Sequence, residues 1–484
     1  MSQSQKEAVV RGGTGEPRFE RSMTFMENFA LGFTYLSPVV GVYSVFAFGL
    51  AAGGPPMIWS YVIAGFGQLL VAMVFGEIVS QYPIAGGLYP WCRRLVGPRW
   101  GWMAGWIYGW ALFVTVAAVA VGAGPFLALL LGFEATPVVT TAIALGLVVL
   151  GTAVNLSGTK TLARVAYFGF LCELAGAIAV GGYLLLFARV NPATVVFDAS
   201  GAGSGGAYLS AFLAAALVGL YSCYGFEACA DVAEETPRPE ETIPRAMRMT
   251  IYVGVGASIF ICFALILATP DIGRVVSGAD KDPIGTIITS TFGPVGAKAV
   301  AAVVVISFVS CVLSLQAAAS RLLFSMGRDR VLFLNETLAA LNPTTHVPGN
   351  ALVVAGIAPT LIVVGGYFLQ DALTTIVNFA VVGIYASFQM VVIAALIARG
   401  RGWRPAGPFQ LGGWGWAINT AALVYGVLAS VNLLWPRVER SSWLQEYSLI
   451  LVSAGIILAG LLGMTLANLE GDRPAGAKLQ PRKV

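Results

Sequence analysis

Residues 221–227 read Tyr-Ser-Cys-Tyr-Gly-Phe-Glu and lie within an apolar run that extends from about residue 208 to about residue 231. Glycine weakens a helix, and an ionisable side chain is costly in lipid, so both are unusual in the middle of a membrane helix. The stretch therefore predicts a helix that is interrupted near Gly225. An interruption frees backbone N–H and C=O groups that lipid cannot satisfy, so we expect a polar site there.

A second interruption is predicted in the first apolar run, from about residue 27 to about residue 51, where residues 37–41 read Ser-Pro-Val-Val-Gly. Pro38 has no backbone N–H and clashes with the preceding turn, so the helix should break beside it. For each interruption alone, the alternative is a kink that binds no ligand.

The composition predicts a membrane protein. The chain has 484 residues, of which 57% are hydrophobic and 11% are charged, and its mean hydropathy is +0.80. Soluble domains carry about 25% charged residues. A membrane-spanning helix needs about 20 mainly apolar residues. Twelve runs approach that length, near residues 27–51, 57–80, 101–131, 138–156, 165–188, 208–231, 249–269, 295–325, 350–368, 373–397, 417–435 and 447–468.

The predicted fold class is an all-α integral membrane protein with about twelve transmembrane helices. Interrupted helices at corresponding positions of two halves, here spans one and six, indicate an inverted-repeat transporter with a binding site at the membrane midplane. We expect an N-terminal tail (1–24), a core (25–400) with repeats at about 25–190 and 207–400, two additional transmembrane helices (401–468) and a C-terminal tail (469–484).

The distribution of charged residues predicts the orientation of the chain in the membrane and argues against one class of partner. With both termini cytosolic, about 22 of the 28 Lys and Arg residues fall on the cytosolic side, as the positive-inside rule requires, so we expect a multi-pass plasma (inner) membrane protein. The net charge of +4 is scattered through short loops, which argues against nucleic acid. The N-terminus has no apolar segment before its charges, so it reads as a cytosolic tail and not as a cleaved signal.

No cofactor or metal site is expected. Five of the six cysteines lie inside apolar runs and His346 is the single histidine, so neither a disulfide framework nor a metal site has support. A phosphate-binding loop of the Gly-rich, Lys-Ser/Thr kind is missing from the sequence, which argues against pumping driven by ATP.

The candidate substrate site combines the two interruptions. The N–H groups of Val39, Val40 and Gly41 are expected to hold a carboxylate, because the N-terminus of a helix carries partial positive charge. Aromatic side chains are expected to face a cationic head group, although packing is the alternative for each. The candidate substrate-binding residues are Ser37, Val39, Val40, Gly41, Tyr43, Trp110, Cys223, Tyr224, Gly225, Phe226 and Glu227.

Glu173 is an ionisable residue in the middle of span five, where an unpaired charge costs roughly 2.5 kcal/mol or more. We interpret it as a site for a coupling proton or Na⁺, and the alternative is a neutral glutamic acid that bonds a neighbouring helix. Ser310 and Ser314 in span eight are further candidates as hydroxyl ligands for a coupling ion, although such serines also bond backbone routinely. At the predicted cytosolic ends of spans two and six, ion pairs are expected among Glu77, Asp231, Glu234, Glu235, Arg238 and Arg245, with interfacial solvation as the alternative.

Three groups of residues resemble the signatures of the amino acid/polyamine/organocation transporter superfamily. The first comprises residues 225–227 (GFE), 233–237 (AEETP) and 243–246 (IPRA) of span six and its end. The second is the loop 82–91 (YPIAGGLYPW), followed by 97–101 (GPRWG) and 105–106 (GW). The third is 320–321 (SR) with 327–329 (GRD), after span eight.

The resemblance implies a leucine-transporter-type fold that works by alternating access, and the chain looks most like the branch that includes γ-aminobutyrate and choline carriers. It implies that Glu227 either faces a substrate amine or holds the two half-helices together. Many members carry a lysine in span five where this chain has Glu173. The resemblance therefore does not indicate which ion is coupled to transport. The expected function is secondary transport of a small amine-bearing solute, with exchange as the alternative mode and a channel or a membrane enzyme as the alternative classes.

Overall fold

The computed structural model describes residues 18–203, 208–368, 370–436 and 443–467. The predicted C-terminal tail (469–484) and residues 1–17 of the predicted N-terminal tail lie outside the described residues. All regular secondary structure in the described ranges is helical, which confirms the predicted fold class.

The described residues of the first half of the chain form eight α-helices and two short 3₁₀ helices (Pro55–Met57 and Ala193–Phe197). The α-helices are α1 (Phe25–Leu36), α2 (Pro38–Gly53), α3 (Ile58–Gln81), α4 (Leu88–Leu95), α5 (Pro98–Gly122), α6 (Gly124–Leu131), α7 (Pro137–Leu156) and α8 (Thr159–Phe187).

In the part of the second half that the structure describes, there are twelve α-helices and two short 3₁₀ helices (Ala233–Glu235 and Gly412–Trp414). The α-helices are α9 (Tyr208–Ala215), α10 (Leu217–Ser222), α11 (Ala228–Asp231), α12 (Pro239–Ala268), α13 (Ile272–Val276), α14 (Pro283–Arg328), α15 (Asn335–Leu338), α16 (Gly349–Phe368), α17 (Gln370–Gly400), α18 (Gly415–Leu434), α19 (Trp443–Glu446) and α20 (Ser448–Leu466).

Eleven helical segments of the described residues are long and apolar enough to cross a bilayer. We interpret the shorter apolar segment Tyr208–Ser222, together with α11, as a twelfth crossing. Because short connections join them, successive crossings run in opposite directions. The two interrupted crossings, α1–α2 and α9–α11, are the first and the sixth, so each begins a set of five crossings. Because five is an odd number, the sixth crossing begins at the membrane face opposite to the one at which the first begins. We call the face at which α1 begins the N-terminal face.

Local sequence explains where the helices begin and bend. Thr24 and Glu27 form a reciprocal capping box at α1, in which the Glu27 N–H donates to Thr24 Oγ1 and the Thr24 N–H donates to Glu27 Oε2. Asp282 caps α14 by accepting the N–H of Gly285 at 3.0 Å. Gly293, at φ 63°, is followed by Pro294 and divides α14 into a short helix and a spanning helix.

The crossings divide into a buried core and a periphery. In the most apolar stretch of the first crossing, 67% of the residues are buried inside the protein, whereas in α20 the share is 6%. Helix α1 packs against α8, α12 and α14, so the first interruption lies inside the bundle. Helix α18 packs against α3 and α17, and α20 packs against α5, where Trp106 Nε1 donates to the Ile456 carbonyl. The last two crossings therefore lie outside the core that contains both interruptions.

Candidate functional site

The first interruption is confined to one residue. Helix α1 ends at Leu36, Ser37 has the left-handed conformation (φ 41°, ψ 89°), and α2 begins at Pro38. Proline is well placed at the first helical position because its missing N–H would have no partner there. Ser37 also caps the new helix, since the Val40 N–H donates to its hydroxyl at 3.3 Å. The sequence pattern correctly predicted the break and placed it within one turn of its observed position.

Glu173 of α8 lies against this interruption. Its Oε1 atom accepts the Ser37 hydroxyl at 2.7 Å and the Val39 N–H at 2.9 Å. The side chain is fully buried, and its Oε2 atom has no hydrogen-bond partner among the described residues. The carboxylate therefore occupies the N-terminus of α2 with one oxygen and leaves the other oxygen available.

This geometry differs from the predicted carboxylate site on α2. The Val39 N–H is taken by Glu173, the Val40 N–H by Ser37, and the Gly41 N–H by the Ser37 carbonyl at 2.8 Å, as in a regular helical turn. Binding of a solute carboxylate by these three N–H groups stays a prediction, and in this structure each of them already has a protein partner. The physical reason is that α2 restarts directly after Ser37, so the third donor is already inside the helix.

The second interruption comprises residues 223–227, between α10 and α11. Gly225 has φ 115°, a conformation that side chains rarely adopt, and its N–H donates to Glu227 Oε2 at 2.9 Å. Within the described residues, the N–H groups of Tyr224 and Phe226 make no backbone hydrogen bond. Glu227 therefore satisfies one of the freed backbone donors, as the half-helix role suggested by the resemblance requires.

The two interruptions are in direct contact. A Cβ atom added to Gly225 would lie 2.6 Å from the backbone N of Leu36 and 2.8 Å from its Cα, closer than real Cβ contacts allow. The backbone of the second break can therefore approach the end of α1 only because residue 225 has no side chain.

Replacing Gly225 with alanine is expected to lower the unfolding temperature of the purified protein in detergent. The positive φ alone costs about 1–3 kcal/mol for other residues, and the backbone of Leu36 cannot move aside cheaply. The matched control is Gly182→Ala in α8, where no atom lies within 4 Å of the added Cβ, so stability should stay equal or rise slightly. Equal unfolding temperatures for the two variants would contradict the close contact.

A tyrosine that the sequence analysis missed connects two buried carboxylates. The Tyr108 hydroxyl of α5 lies 3.1 Å from Asp231 Oδ2 and 3.4 Å from Glu227 Oε1. All three side chains are fully buried, and Asp231 Oδ1 has no hydrogen-bond partner among the described residues. One hydroxyl carries one proton, so it cannot donate a full hydrogen bond to both carboxylates at once. The cluster therefore retains capacity to accept a further donor.

Only some of the aromatic side chains that were expected to face a cationic head group lie near the interruptions. The Tyr224 ring makes edge-to-face contacts with Tyr35 at 6.4 Å and with Tyr221 at 6.2 Å, beside the interruptions. Tyr43 lies 6.0 Å from Phe126 and lines a cavity described below. Tyr43 therefore lines the cavity, and Tyr224 contacts Tyr221, another residue of the cavity lining.

Three other predicted residues have surroundings typical of packing. Phe226 lies against Phe75 of α3 and Phe388 of α17. The Cys223 thiol lies 3.8 Å from a backbone carbonyl of α3. Trp110 packs with neighbouring aromatic residues of α5, in the cluster that contacts α20. Trp110 does not line the cavity described below, and its part in the substrate site stays a prediction.

The candidate ion ligands on α14 lie against the first crossing. The Ser314 hydroxyl is 2.8 Å from the Thr34 hydroxyl of α1, and the Ser310 hydroxyl donates to the Ile306 carbonyl of its own helix. Both hydroxyls thus have protein partners. Across the described residues, no group of three or more His, Cys, Asp and Glu side chains is arranged to hold a metal ion.

A cavity of about 830 Å³ opens on the face opposite the N-terminal face. It extends from Lys281 and Asp282, before α14, past Tyr43 and Phe126 to Tyr221, which lies beside the second interruption. The halves of both interrupted crossings that lie away from the N-terminal face therefore contribute residues to the lining of this cavity.

The N-terminal face is closed by ion pairs. Glu235 accepts two hydrogen bonds from Arg321, at 2.8 and 3.0 Å, and both side chains are fully buried. Glu234 pairs with Arg328 at 2.8 Å. The segment before α1 covers these pairs, because the Met23 N–H donates to the Glu235 carbonyl at 3.1 Å. A cavity of about 1000 Å³ on this face reaches Glu234 and Arg328, and its lining does not include Glu235, Arg321 or the residues of the two interruptions.

Among the described residues, three of the four acidic residues predicted to form ion pairs do so, but with basic partners other than Arg238 and Arg245. Glu77 pairs with Arg399 of α17, not with a neighbour near span six. Arg238 makes only an exposed contact with Glu241 at 3.5 Å, and Arg245 lies over the Phe25 ring. Asp231 has no ion pair and instead lies at the Tyr108 hydroxyl. The actual arginine partners lie on α14 and α17, far away in the sequence.

Comparison with known proteins identifies the family. The profile described as amino acid permease matches residues 25–462. The amino-acid permease BAT1 of Arabidopsis thaliana is 25% identical over 448 residues, covering 86% of each chain. The low-affinity putrescine importer PlaP of Escherichia coli is 25% identical over 410 residues, covering 81% of this chain and 84% of the importer.

A third relative, the aromatic amino acid permease FywP of Lactococcus lactis, is 30% identical over 322 residues, covering 63% of this chain and 68% of the permease. The profile match spans both interruptions, Glu173 and all twelve crossings except the end of the last one. With its interrupted crossings and its multi-pass helical architecture, this chain is a transporter of the amino acid permease family.

Proposed function

We propose that this chain is a secondary active transporter that moves a small amine-bearing solute across the plasma membrane by alternating access. The observation that carries the proposal is the direct contact of the two interruptions, where Gly225 lies against Leu36 beside three buried carboxylates. Broken helices at the midplane place polar backbone and charged side chains where a solute can exchange its hydration shell for protein contacts.

The cavity and the closed N-terminal face support the alternating-access part of the proposal. We assign the N-terminal face to the cytosol, because most Lys and Arg residues of the loops lie on that side. The conformation is then open towards the outside and sealed towards the cytosol by Glu235–Arg321 and Glu234–Arg328. Release to the cytosol requires these pairs to separate as the bundle rocks.

We assign coupling to a cation or a proton that uses Glu173. The Oε1 atom of Glu173 contacts Ser37 and Val39, and its Oε2 atom is free. A change in the charge of this carboxyl group should therefore change the geometry of the first break. Ser310 and Ser314 are secondary candidates, and their hydroxyls would have to leave their present partners to ligate an ion. The names of the relatives, an importer of putrescine and permeases for amino acids, support an amine-bearing solute.

Counterflow in proteoliposomes tests the proposal. The purified full chain is reconstituted, preloaded with a candidate solute and diluted into the same labelled solute at low concentration. A carrier should accumulate label transiently, and its initial rate should saturate with concentration. Flux that rises linearly without counterflow would indicate a channel, and a chemically altered solute would indicate an enzyme. Uptake that requires internal solute, and does not respond to an ion gradient, would favour exchange over symport.

A further inference from the structure

The cavity on the N-terminal face has more basic than acidic side chains in its lining. Its volume, about 1000 Å³, is at the upper end of the range of small-molecule sites. The charged side chains of the lining are Arg18, Arg21, Arg328, Arg330, Glu234 and Glu336. With four arginines against two glutamates, the lining carries a net charge of +2. The two helix interruptions contribute no residue to it, so this cavity is separate from the proposed solute site.

Three of the four arginines have no ionic partner. Arg328 pairs with Glu234 at 2.8 Å. Among the described residues, Arg18, Arg21 and Arg330 form no ion pair and lie over no aromatic ring. A guanidinium group stays protonated at any physiological pH, so three permanent positive charges line this cavity without a direct partner.

Most other arginines of the N-terminal face have partners. Six of them pair with a carboxylate or lie over an aromatic ring: Arg93, Arg94, Arg238, Arg245, Arg248 and Arg399. The positive-inside rule accounts for basic loops on this face, but it does not require unpaired arginines to share one concave space. The three unpaired guanidinium groups at one cavity therefore indicate a site for an anion.

Two elements that are distant in the sequence form this site. Two of the arginines belong to the segment before α1, and the other two lie at the end of α14 or directly after it. His346 Nδ1 donates to the Arg18 carbonyl at 3.0 Å, which holds the first segment in place. The Phe19 ring packs edge-to-face against the Phe324 ring of α14, with the ring centres 4.9 Å apart. The basic residues of both elements are therefore held around one space.

The chemistry of the lining favours phosphate over other anions. A guanidinium group presents a fork of N–H donors that matches the oxygens of a phosphate, and such pairs are frequently bidentate. A phosphate ester carries a charge of about −1.5 to −2 near pH 7, whereas a carboxylate carries a single negative charge. Basic pockets between transmembrane helices on the cytoplasmic side bind the headgroups of anionic lipids. These headgroups and soluble polyphosphates share the phosphate group.

We propose that this cavity binds a phosphate-bearing anion and that the bound anion holds the N-terminal face closed. Arg21 lies before α1 and Arg330 after α14, so an anion that contacts both connects the segment that covers the sealing ion pairs to α14. Release of a solute at this face requires those pairs to separate, and a bound anion opposes that separation. The effect on closure rests on the proposed function, whereas binding of the anion does not.

Thermal unfolding of the purified full chain in neutral detergent tests binding without transport. Millimolar pyrophosphate should raise the unfolding temperature above that in sodium chloride of equal ionic strength, because a ligand that binds only the folded state stabilises it. Short-chain phosphatidylglycerol, with phosphatidylcholine of the same chain length as the neutral control, tests a lipid headgroup in the same assay. Stabilisation by pyrophosphate supports a soluble ligand, and stabilisation by phosphatidylglycerol alone supports a lipid. If neither probe stabilises the protein, the inference is wrong.

A pair of double variants connects binding to the cavity. Arg21→Gln with Arg330→Gln removes two exposed, unpaired guanidinium groups, so without ligand it should unfold at the wild-type temperature. Its Kd for the stabilising probe should be at least tenfold higher, because charge-assisted hydrogen bonds are lost. Arg164→Gln with Arg401→Gln removes the same charge from exposed positions on this face outside the cavity and should bind as wild type does. Equal losses in both double variants would show attraction to overall charge and overturn the site.

Counterflow in proteoliposomes tests the effect on closure. Pyrophosphate on both sides of the membrane, or phosphatidylglycerol in the bilayer if only that probe stabilises, should lower the initial wild-type rate at least threefold. The Arg21→Gln, Arg330→Gln variant should lose this response. A wild-type rate that does not change under a probe shown to bind would reject the effect on closure. Absence of counterflow without any probe would count against the proposed function, and the unfolding measurements would still decide whether the cavity binds phosphate.

Discussion

Replacing Arg321 with leucine is expected to prevent most of the protein from accumulating in a folded form. Arg321 and Glu235 are fully buried and share two hydrogen bonds, and Thr159 and Ser320 also bond to this pair. Removing one member leaves an unpaired buried charge, which costs about 3–5 kcal/mol. That cost is comparable with the whole stability of many domains. Size-exclusion chromatography of detergent extracts and thermal unfolding measure the outcome.

The neighbouring pair offers a matched control. Arg328 lies on the same helix, α14, and pairs with Glu234 at 2.8 Å, but both side chains are partly exposed. Exposed ion pairs contribute about 0–1 kcal/mol, so Arg328→Leu should express and unfold almost as wild type does. A second change, Glu235→Leu, should recover part of the stability in the Arg321→Leu background because it removes the unpaired charge. An Arg321→Leu protein that unfolds at the wild-type temperature would contradict this account.

The interruptions could be predicted because their causes are local. Pro38 has no N–H, and Gly225 follows an apolar run that otherwise satisfies its own backbone, so a window of a few residues contains the whole physical reason. The number of crossings is predictable for the same reason, since lipid demands about 20 apolar residues for each one. The resemblance to a transporter superfamily was confirmed by the family match.

The partners of the buried charges could not be predicted, because they are set by tertiary packing. Glu77 and Arg399 are separated by 322 positions, and Glu173 and Ser37 by 136. A sequence pattern within one helix carries no information about which distant helix packs against it. The nearby residues Arg238 and Arg245 were therefore the natural but incorrect choice of partner for the acidic residues of span six.

Helix periodicity separates Tyr108 from Trp110. Residues two apart on a helix point roughly 200° away from each other, since each residue turns about 100°. Tyr108 and Trp110 are such a pair on α5, and the structure places Tyr108 at the buried carboxylates and Trp110 at the periphery. A buried aromatic residue with a hydroxyl was the better candidate, although only the packing of α5 decides which face turns inward.

Replacing Glu173 with glutamine is expected to reduce transport at least tenfold while preserving the fold. The glutamine carbonyl can still accept the Ser37 hydroxyl and the Val39 N–H, so the cap of α2 should survive. The free carboxylate oxygen is lost, and with it the ability of the side chain to take up a proton or to hold a cation. Uptake in proteoliposomes should fall, and its dependence on the driving ion gradient should weaken or disappear.

Two further variants separate charge from shape in this test. Glu173→Asp keeps the charge but shortens the side chain, so it should retain more activity than Glu173→Gln if the charge is what matters. Cys172→Ser changes the adjacent residue, which is partly exposed on the outer side of α8, and should transport at the wild-type rate. If Glu173→Gln transports at the wild-type rate with unchanged pH and Na⁺ dependence, Glu173 is a neutral structural contact. The charge at the N-terminus of α2 then has no part in coupling.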